Sequence, residues 1–465
     1  MIWIVAYLAS VVGAFLTIIV VTMMRNEHRH SVGRLGWLGL TLLSPPIGLV
    51  LFLLLGGRKI SAEHSERDPI DMPQVPEGEL EPDDPYEELL DRREVTRPME
   101  NNRIDLIETP TDHHREYLDL FASAEESIYV LTFTVHDDRF LSQMLDVWCE
   151  KARAGVDVNV MFDGFGSIKT WDSAFERLRE AGGRAERFKP LHEISKLAYF
   201  NFRNHRKITV VDGRSAIIGG ANLVGYQITD RPDDETWDDL SIKIEGPAVP
   251  KIQAVFCSDW NFITGEDLPP PNVDVPPPTT DCSERKDNAR IGVLPVGPDA
   301  PQEILDDFWL FAINRAEDRI WIATPYFIPP PAVMRSLEAA GRRGVDVRVM
   351  VPRDSDLKMA DWARTEYLND LEECGINIYA YTPAMIHAKV GLIDHDVAIV
   401  GSTNFDSRSF FLNYELSVLL HDGGSIDRVV RWFEGRFEDC DQGNPDRSRH
   451  RRFFSTMARL FASEL

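Results

Sequence analysis

Cysteine is scarce in this 465-residue chain: there are five, at 149, 257, 282, 374 and 440, with no C-x-x-C pair and no zinc-ligand spacing. That argues against a disulfide framework and points to buried thiols, without deciding the compartment. Positive charge is also short, 50 Lys and Arg against 75 Asp and Glu, for a formal net charge of −25. No nucleic-acid partner is expected, since sequence-independent binding comes largely from neutralising phosphates. Clusters with metal-ligand spacing are lacking too. His113-His114 and His28/His30 have no carboxylate or Cys companions and read as surface or loop histidines. What is present is 43% hydrophobic and 10% aromatic residues, enough for a sizeable core, over a length that predicts more than one folded unit.

Charge is missing altogether from Ile2 to Met24. As a helix this run is about 35 Å long, enough for a ~30 Å hydrocarbon core. A second uncharged run, Leu35 to Leu55, follows a loop with Arg25, Arg29 and Arg34. Its Pro45 and Pro46 are tolerated in membrane helices. A cleaved signal peptide needs a basic leading region and a shorter apolar run. Residues 1–60 are therefore read as a transmembrane helical hairpin (2–24 and 35–55) of a multi-pass cell-membrane protein. Arg58 and Lys59 beyond the second run leave its orientation open. From Glu63 to Glu94, thirteen acidic residues stand against Arg67, Arg92 and Arg93, interleaved with five prolines. Residues 61–97 are expected to form a solvated acidic, Pro-rich tether.

The rest of the chain repeats itself. Gly155-Val156-Asp157-Val158 and Gly344-Val345-Asp346-Val347 each follow a helical pattern and precede an apolar run. Strand-like runs at Ile128–Phe133 and Ile320–Thr324 come before those helices. Alternation of this kind implies β-α-β units and an α/β fold with a parallel or mixed sheet. His205, Lys207, Asp212, Gly219 and Asn222 recur as His387, Lys389, Asp394, Gly401 and Asn404, every one displaced by 182 residues. One offset shared by five uncommon residues marks two copies of one unit. The copies are bounded at 98–268 and 289–465, joined by a connector at 269–288 with two Pro-Pro-Pro runs.

His and Lys at i and i+2 of a strand share a face. Each copy therefore sets a nitrogen that can attack or shuttle protons beside a fixed cation, with an Asn amide nearby. Two such sets around one spot suit a phosphate diester and its more highly charged transition state. The cations take the neutralising role a metal has elsewhere, so neither metal nor cofactor is expected.

At these residues the chain resembles the phospholipase D superfamily, whose signature is H-x-K-x4-D followed by G-[GS]-x-N. Within it the chain is most similar to bacterial cardiolipin synthases, through Asn204-His205-Arg206-Lys207, Thr324-Pro325-Tyr326-Phe327-Ile328-Pro329 and Gly401 to Ser409. The resemblance implies two tandem phospholipase D-like α-β-α sandwich domains forming one pseudo-twofold catalytic unit behind the membrane hairpin. It implies a phosphohistidine on one motif histidine and acid/base work by the other. His205 is preferred as nucleophile and His387 as acid/base, although near symmetry leaves that order open. Lys207, Lys389, Asn222 and Asn404 would hold phosphoryl oxygens. Ser402 would add a hydroxyl on its side only, because Gly220 stands at that place in the first copy.

Asp212 and Asp394 complete the motif, but seven residues of strand place each about 23 Å from its histidine, so both are read as structural. Glu415 sits where the family places the imidazole-orienting carboxylate. Asp239 is its first-copy counterpart, with Asp238 the adjacent alternative, at 34 residues from the histidine rather than 28. The implied reaction joins two phosphatidylglycerol molecules into cardiolipin and glycerol. Hydrolysis of membrane phospholipids is the alternative, and a scaffold with a degenerate site is a third reading that the intact motifs oppose. Tyr326 and Phe327 either line a lipid entrance or belong to the core. The basic amphipathic tail, Arg447 to Leu465, packs on the second unit or lies on lipid.

Overall fold

The computed structural model describes residues 2–24, 44, 47–48, 67–73, 84–95, 97–189, 201–268 and 288–446. Helix α1 (Ile2–Met24) carries no charge. Trp3, Ile4, Val5, Leu8, Val12 and Leu16 are exposed on it, and its hydroxyls at Ser10 and Thr17 donate to the carbonyls of Tyr7 and Gly13. Its side chains are described from residue 3 to 17, a stretch of about 22 Å. Among the described residues no helix is long and apolar enough to cross a membrane. The second apolar run lies outside the described residues except at 44, 47 and 48, and the basic tail lies wholly outside them.

Where it is described, at 67–73 and 84–95, the acidic segment is docked and not the free tether its composition suggests. Asp84 caps α2 (Pro85–Arg92), its carboxylate accepting from the backbone N–H of Tyr86 and Glu87. Tyr86 and Leu90, one helical turn apart, are both buried, and Tyr86 packs on Phe308 and Phe311. Upstream, Arg67 is buried between Asp259 and Asp299, 2.6 Å from each. A charge count averages over these anchors: a few apolar or ion-paired side chains are enough to dock an otherwise acidic strand of chain.

The first copy contains β1 (Met99–Ile107), α3 (Pro110–Ser123), β2 (Ser127–Thr132), α4 (Arg139–Arg153), β3 (Asp157–Asp163), α5 (Glu176–Glu180), β4 (Arg184–Phe188), β5 (Ile208–Val211), β6 (Ser215–Gly219), β7 (Ser241–Glu245) and α6 (Val249–Thr264). The second contains β8 (Ala289–Val296), α7 (Ile304–Arg315), β9 (Arg319–Ala323), β10 (Phe327–Ile328), α8 (Pro331–Arg343), β11 (Asp346–Pro352), α9 (Lys358–Glu373), β12 (Asn377–Tyr381), β13 (Val390–Ile393), β14 (Val397–Gly401), β15 (Phe405–Asp406), α10 (Ser407–Phe411), β16 (Glu415–Leu420), α11 (Gly423–Phe437) and β17 (Cys440–Gln442).

Fifteen of these strands form one mixed sheet, symmetric about the antiparallel β1–β8 pair. Outward from β1 run β7, β6, β5, β2, β3 and β4; outward from β8 run β16, β14, β13, β9, β11 and β12, with β17 added at that edge. The parallel pairs of the sheet are β2–β3–β4 and β9–β11–β12. Parallel neighbours need a crossover, which α4 and α8 supply. Helix α4 shows why: Phe140, Leu141, Met144, Leu145 and Trp148 make one buried stripe.

One core joins the inner faces of both halves with α6 and α11, and separate outer cores lie under α3–α4 and under α7–α8. Cys149, Cys257 and Cys374 are buried free thiols. His113 is not a surface histidine: it is buried, with Nδ1 near the Thr109 carbonyl and Nε2 2.9 Å from Ser241 Oγ.

Candidate active site

β5 runs antiparallel to β2, with Ile208 opposite Leu131, and β13 runs antiparallel to β9, with Val390 opposite Ala323. The residues just ahead of β5 and β13 therefore lie at the carboxyl ends of the parallel strands, where open α/β sheets bind ligands. These residues are the two H-x-K blocks. Each is clamped to the other half of the molecule. The His205 N–H donates to the Tyr414 carbonyl at 2.8 Å, and the His387 N–H donates to the Asp238 carbonyl at 2.7 Å. Isolated parallel bridges, Asn204 to Tyr414 and Asp238 to Ile386, complete the clamps.

The clamps cross the carboxylates over. His205 Nδ1 lies 3.0 Å from Glu415 Oε2, and His387 Nδ1 lies 2.8 Å from Asp239 Oδ2. Counting residues within each copy relates each carboxylate to the wrong histidine; each serves the imidazole of the opposite copy. Asp238, the adjacent alternative, instead accepts from Tyr381 Oη at 2.7 Å and lies near Arg436.

The copies differ in detail around these pairs. Ser402 Oγ donates to Glu415 Oε2 at 2.5 Å, and Ser409 Oγ donates to Glu415 Oε1 at 2.7 Å. The Ser402 hydroxyl is thus spent on the carboxylate and not directed at phosphate. At the matching place in the first copy, a Cβ on Gly220 would sit 2.2 Å from Asp239 Oδ1, so glycine is required there. Ser409 corresponds to Gln227, whose Nε2 is 3.4 Å from His387 Nδ1.

Both histidines and both lysines are buried. Lys207 Nζ donates to the His205 carbonyl at 2.8 Å. Lys389 Nζ contacts the His387 carbonyl and lies 2.9 Å from His387 Nδ1. Burial pushes His205 down to about 4 against the opposing pull of Glu415. Burial, with Lys389, Lys207 and His205, holds His387 well below its usual range. Burial lowers Lys207 to about 7 and Lys389 to about 8. All four shifts have burial as their leading cause, which disfavours the charged form of each group.

The Asn222 amide oxygen accepts from the Thr134 N–H at 3.2 Å, while Asn404 Oδ1 is buried with no partner among the described residues. Phe133 packs edge-on to His205 and Trp237 packs against His387. Phe327 is core, stacked on Phe405, whereas Tyr326 Oη donates to Asp356 at the rim.

Asp212 and Asp394 lie at the far ends of β5 and β13 in left-handed backbone. Asp212 accepts from the N–H groups of residues 125, 126 and 127, and Asp394 from those of 317, 318 and 319. They tie a hairpin to the start of the neighbouring strand and touch neither histidine.

Behind His205 is a buried network with little signal in the sequence. Arg206 donates to Asp259 and Asp299 and to the Glu415 carbonyl, and Arg67 pairs with the same two carboxylates. Despite burial, Arg206 and Arg67 hold Asp299 at about 2. The only hint was that the residue between His and Lys is Arg206 in one copy and Ala388 in the other.

Paired copies of one α/β unit, meeting at two buried His-Lys-Asn sets, define the phospholipase D-like class. The family described as "Cardiolipin synthase, PLD-like domain" matches residues 117–260 and 310–437. The chain is 31% identical to cardiolipin synthase A of Pseudomonas aeruginosa, over 90% of this chain and 87% of that protein. It is 29% identical to cardiolipin synthase of Halalkalibacterium halodurans, over 96% and 92%. Among solved structures, phosphatidylserine synthase of Haemophilus influenzae shares the fold, with TM-score 0.60 and 13% identity over 81% of this chain and 96% of that one. The chain belongs to the cardiolipin synthase PLD-like family.

Proposed function

We infer that His205 and His387 carry out a two-step phosphatidyl transfer, and that the chain, as a phosphatidyltransferase of its family, joins two phosphatidylglycerol molecules into cardiolipin and glycerol. The observation that carries the assignment is the unlike setting of the two Nδ1 atoms. Around His205 both neighbours, the Glu415 carboxylate and the Ser402 carbonyl at 3.2 Å, are acceptors. The proton must then sit on Nδ1, and Nε2 keeps its lone pair for attack. Around His387 the neighbours are an acceptor, Asp239, and two donors, Lys389 and the Gln227 amide, so that ring can hold a proton or release it.

In the first step His205 Nε2 bonds to phosphorus, the P–O bond to glycerol breaks, and His387 gives the leaving oxygen its proton. In the second, His387 takes the proton of a glycerol hydroxyl on another phosphatidylglycerol, that oxygen bonds to phosphorus, and the P–N bond breaks. The seated diester anion offsets the lysines that press on His387 and restores its affinity for a proton. Lys207, Lys389, Asn222 and Asn404 hold the phosphoryl oxygens, while Asp239 and Glu415 orient the rings. Burial of the pair favours an alcohol over water as acceptor.

Residues 2–24 and 35–55 are proposed as the hairpin that holds this site at a cell membrane. The uncharged α1 with its apolar side chains exposed supports that reading. Carbonate-washed membranes should retain the protein, and its release would count against the hairpin.

The test of function is product analysis with the purified full chain and phosphatidylglycerol. Cardiolipin and glycerol in equal amounts are expected. Phosphatidic acid without cardiolipin would mean a hydrolase. His205→Ala should lower turnover by ~10³-fold or more, the usual effect of removing a covalent nucleophile.

A further inference from the structure

Among the described residues of the α/β body, the exposed large apolar side chains are Phe165, Ile168, Trp171, Leu357 and Met359. They fall into two groups. One follows β3 and the other follows β11, its counterpart in the second copy. Both strands end at the edge of the sheet that holds the H-x-K blocks. Arg203, two residues before His205, lies over the Phe165 ring, and Asp356, next to Leu357, accepts from Tyr326.

Four of these side chains are held out by their loops, and Met359 stands in the first turn of α9. In the first loop Ser167 and Thr170 are buried and bonded inward, Ser167 Oγ to the Phe133 carbonyl and Thr170 Oγ1 to that of Val135. Arg187 clasps the carbonyls of both. Ile168 and Trp171, beside these anchors, are 61% and 80% exposed. In the second loop Ser355 accepts from the Leu357 N–H and donates to its carbonyl, and Arg364 donates to the Arg353 carbonyl. Apolar residues fixed outward on a tied loop mark a contact surface.

We propose that the two loops are a paired interfacial clamp: they enter the outer layer of a phosphatidylglycerol-containing bilayer on either side of the catalytic mouth, so that a diester passes from the headgroup plane to the histidines without crossing water. This deepens the lipid-transfer reading and rests on it. A bilayer is the occupant because the loops follow strands that end at the edge holding a site for a lipid diester, and because the uncharged α1 exposes apolar side chains on the same chain. Trp171 suits the headgroup boundary, and exposed Lys169 stands between Ile168 and Trp171 for an anionic headgroup.

The full chain carrying Cys282→Ser and Cys440→Ser, in phosphatidylglycerol nanodiscs and spin-labelled at Ile168→Cys, Leu357→Cys or Ala154→Cys, tests this against the same chain with no added cysteine. Residue 154 lies at the opposite end of β3. Labels at 168 and 357 should collide with oxygen and be shielded from a water-soluble nickel chelate, and the label at 154 should show the reverse. Nickel access at all three, or shielding from both reagents at 168 and 357 as under a protein partner, would overturn the clamp.

The variant Ile168→Ser/Trp171→Ser/Leu357→Ser/Met359→Gln should raise KM for vesicle phosphatidylglycerol at least tenfold and leave kcat/KM for detergent-dispersed lipid within twofold. No change in either assay, or an equal loss in both, would contradict it. Lipid-immersed labels, with no cardiolipin made by the unlabelled wild-type protein, would uphold the clamp and refute the chemistry.

Discussion

Two histidines that look equivalent in sequence differ in what their Nδ1 atoms touch, and each lies against a carboxylate from the other copy. Glu415→Gln and Asp239→Asn should each lower kcat by ~10² to 10⁴-fold with KM nearly unchanged, as loss of an orienting carboxylate does in comparable dyads. Rapid-quench measurement should place the Glu415→Gln defect in loading His205, and a defect confined to release would contradict the crossed pairing. The buried lysines make a second prediction. Lys207 is depressed to about 7 from about 10.4 in the unfolded chain. Below pH 7 it is charged in both states and the fold bears its full desolvation cost; above about pH 10.4 it is neutral in both and the cost is gone. Lys207→Met should therefore abolish transfer yet raise Tm, most at pH 6 and least near pH 10. A Tm gain that grows with pH would refute this sign. The His, Lys and Asn positions were legible because one offset repeats them. The carboxylates were legible as residues, but their assignment was not, since spacing counts along the chain and the contacts run across it.

Elements were readable where periodicity and turn chemistry agree, as in β3 and β11 after their Gly-Val-Asp-Val starts. Composition misled where a few anchors outweigh many charges. Tyr86, Leu90 and Arg67 dock a segment whose acidity reads as tether. Arg67→Ala leaves Asp259 and Asp299 with half their cationic partners and should cost about 3 kcal/mol, read as a lower urea midpoint. An unchanged midpoint would show that segment to be dispensable. The hairpins after β5 and β13 depend on Asp212 and Asp394 for three N–H acceptances each. Asp394→Ala should cost about 3 kcal/mol, while the folded fraction keeps kcat within a few-fold. A loss like that of His387→Ala would give Asp394 a chemical role.

At the level of the whole molecule, duplication yields one folded-over sheet in which neither half owns a complete site. The repeat and the resemblance lead to an expectation of two tandem sandwich units about a pseudo-twofold axis; the strands join in a single fifteen-stranded mixed sheet. The sequence did not foretell that the shared inner core and the crossed clamps make each copy the support of the other's histidine, because no local pattern encodes a contact between residues 205 and 415. The direct check is to incubate His387→Ala and His205→Ala proteins with phosphatidylglycerol labelled in its phosphatidyl group, quench, and locate the label by peptide mass spectrometry. Label on His205 in the first protein and on no histidine in the second is the expected result. Label on His387 in the His205→Ala protein, or on neither histidine in either protein, would contradict the assignment.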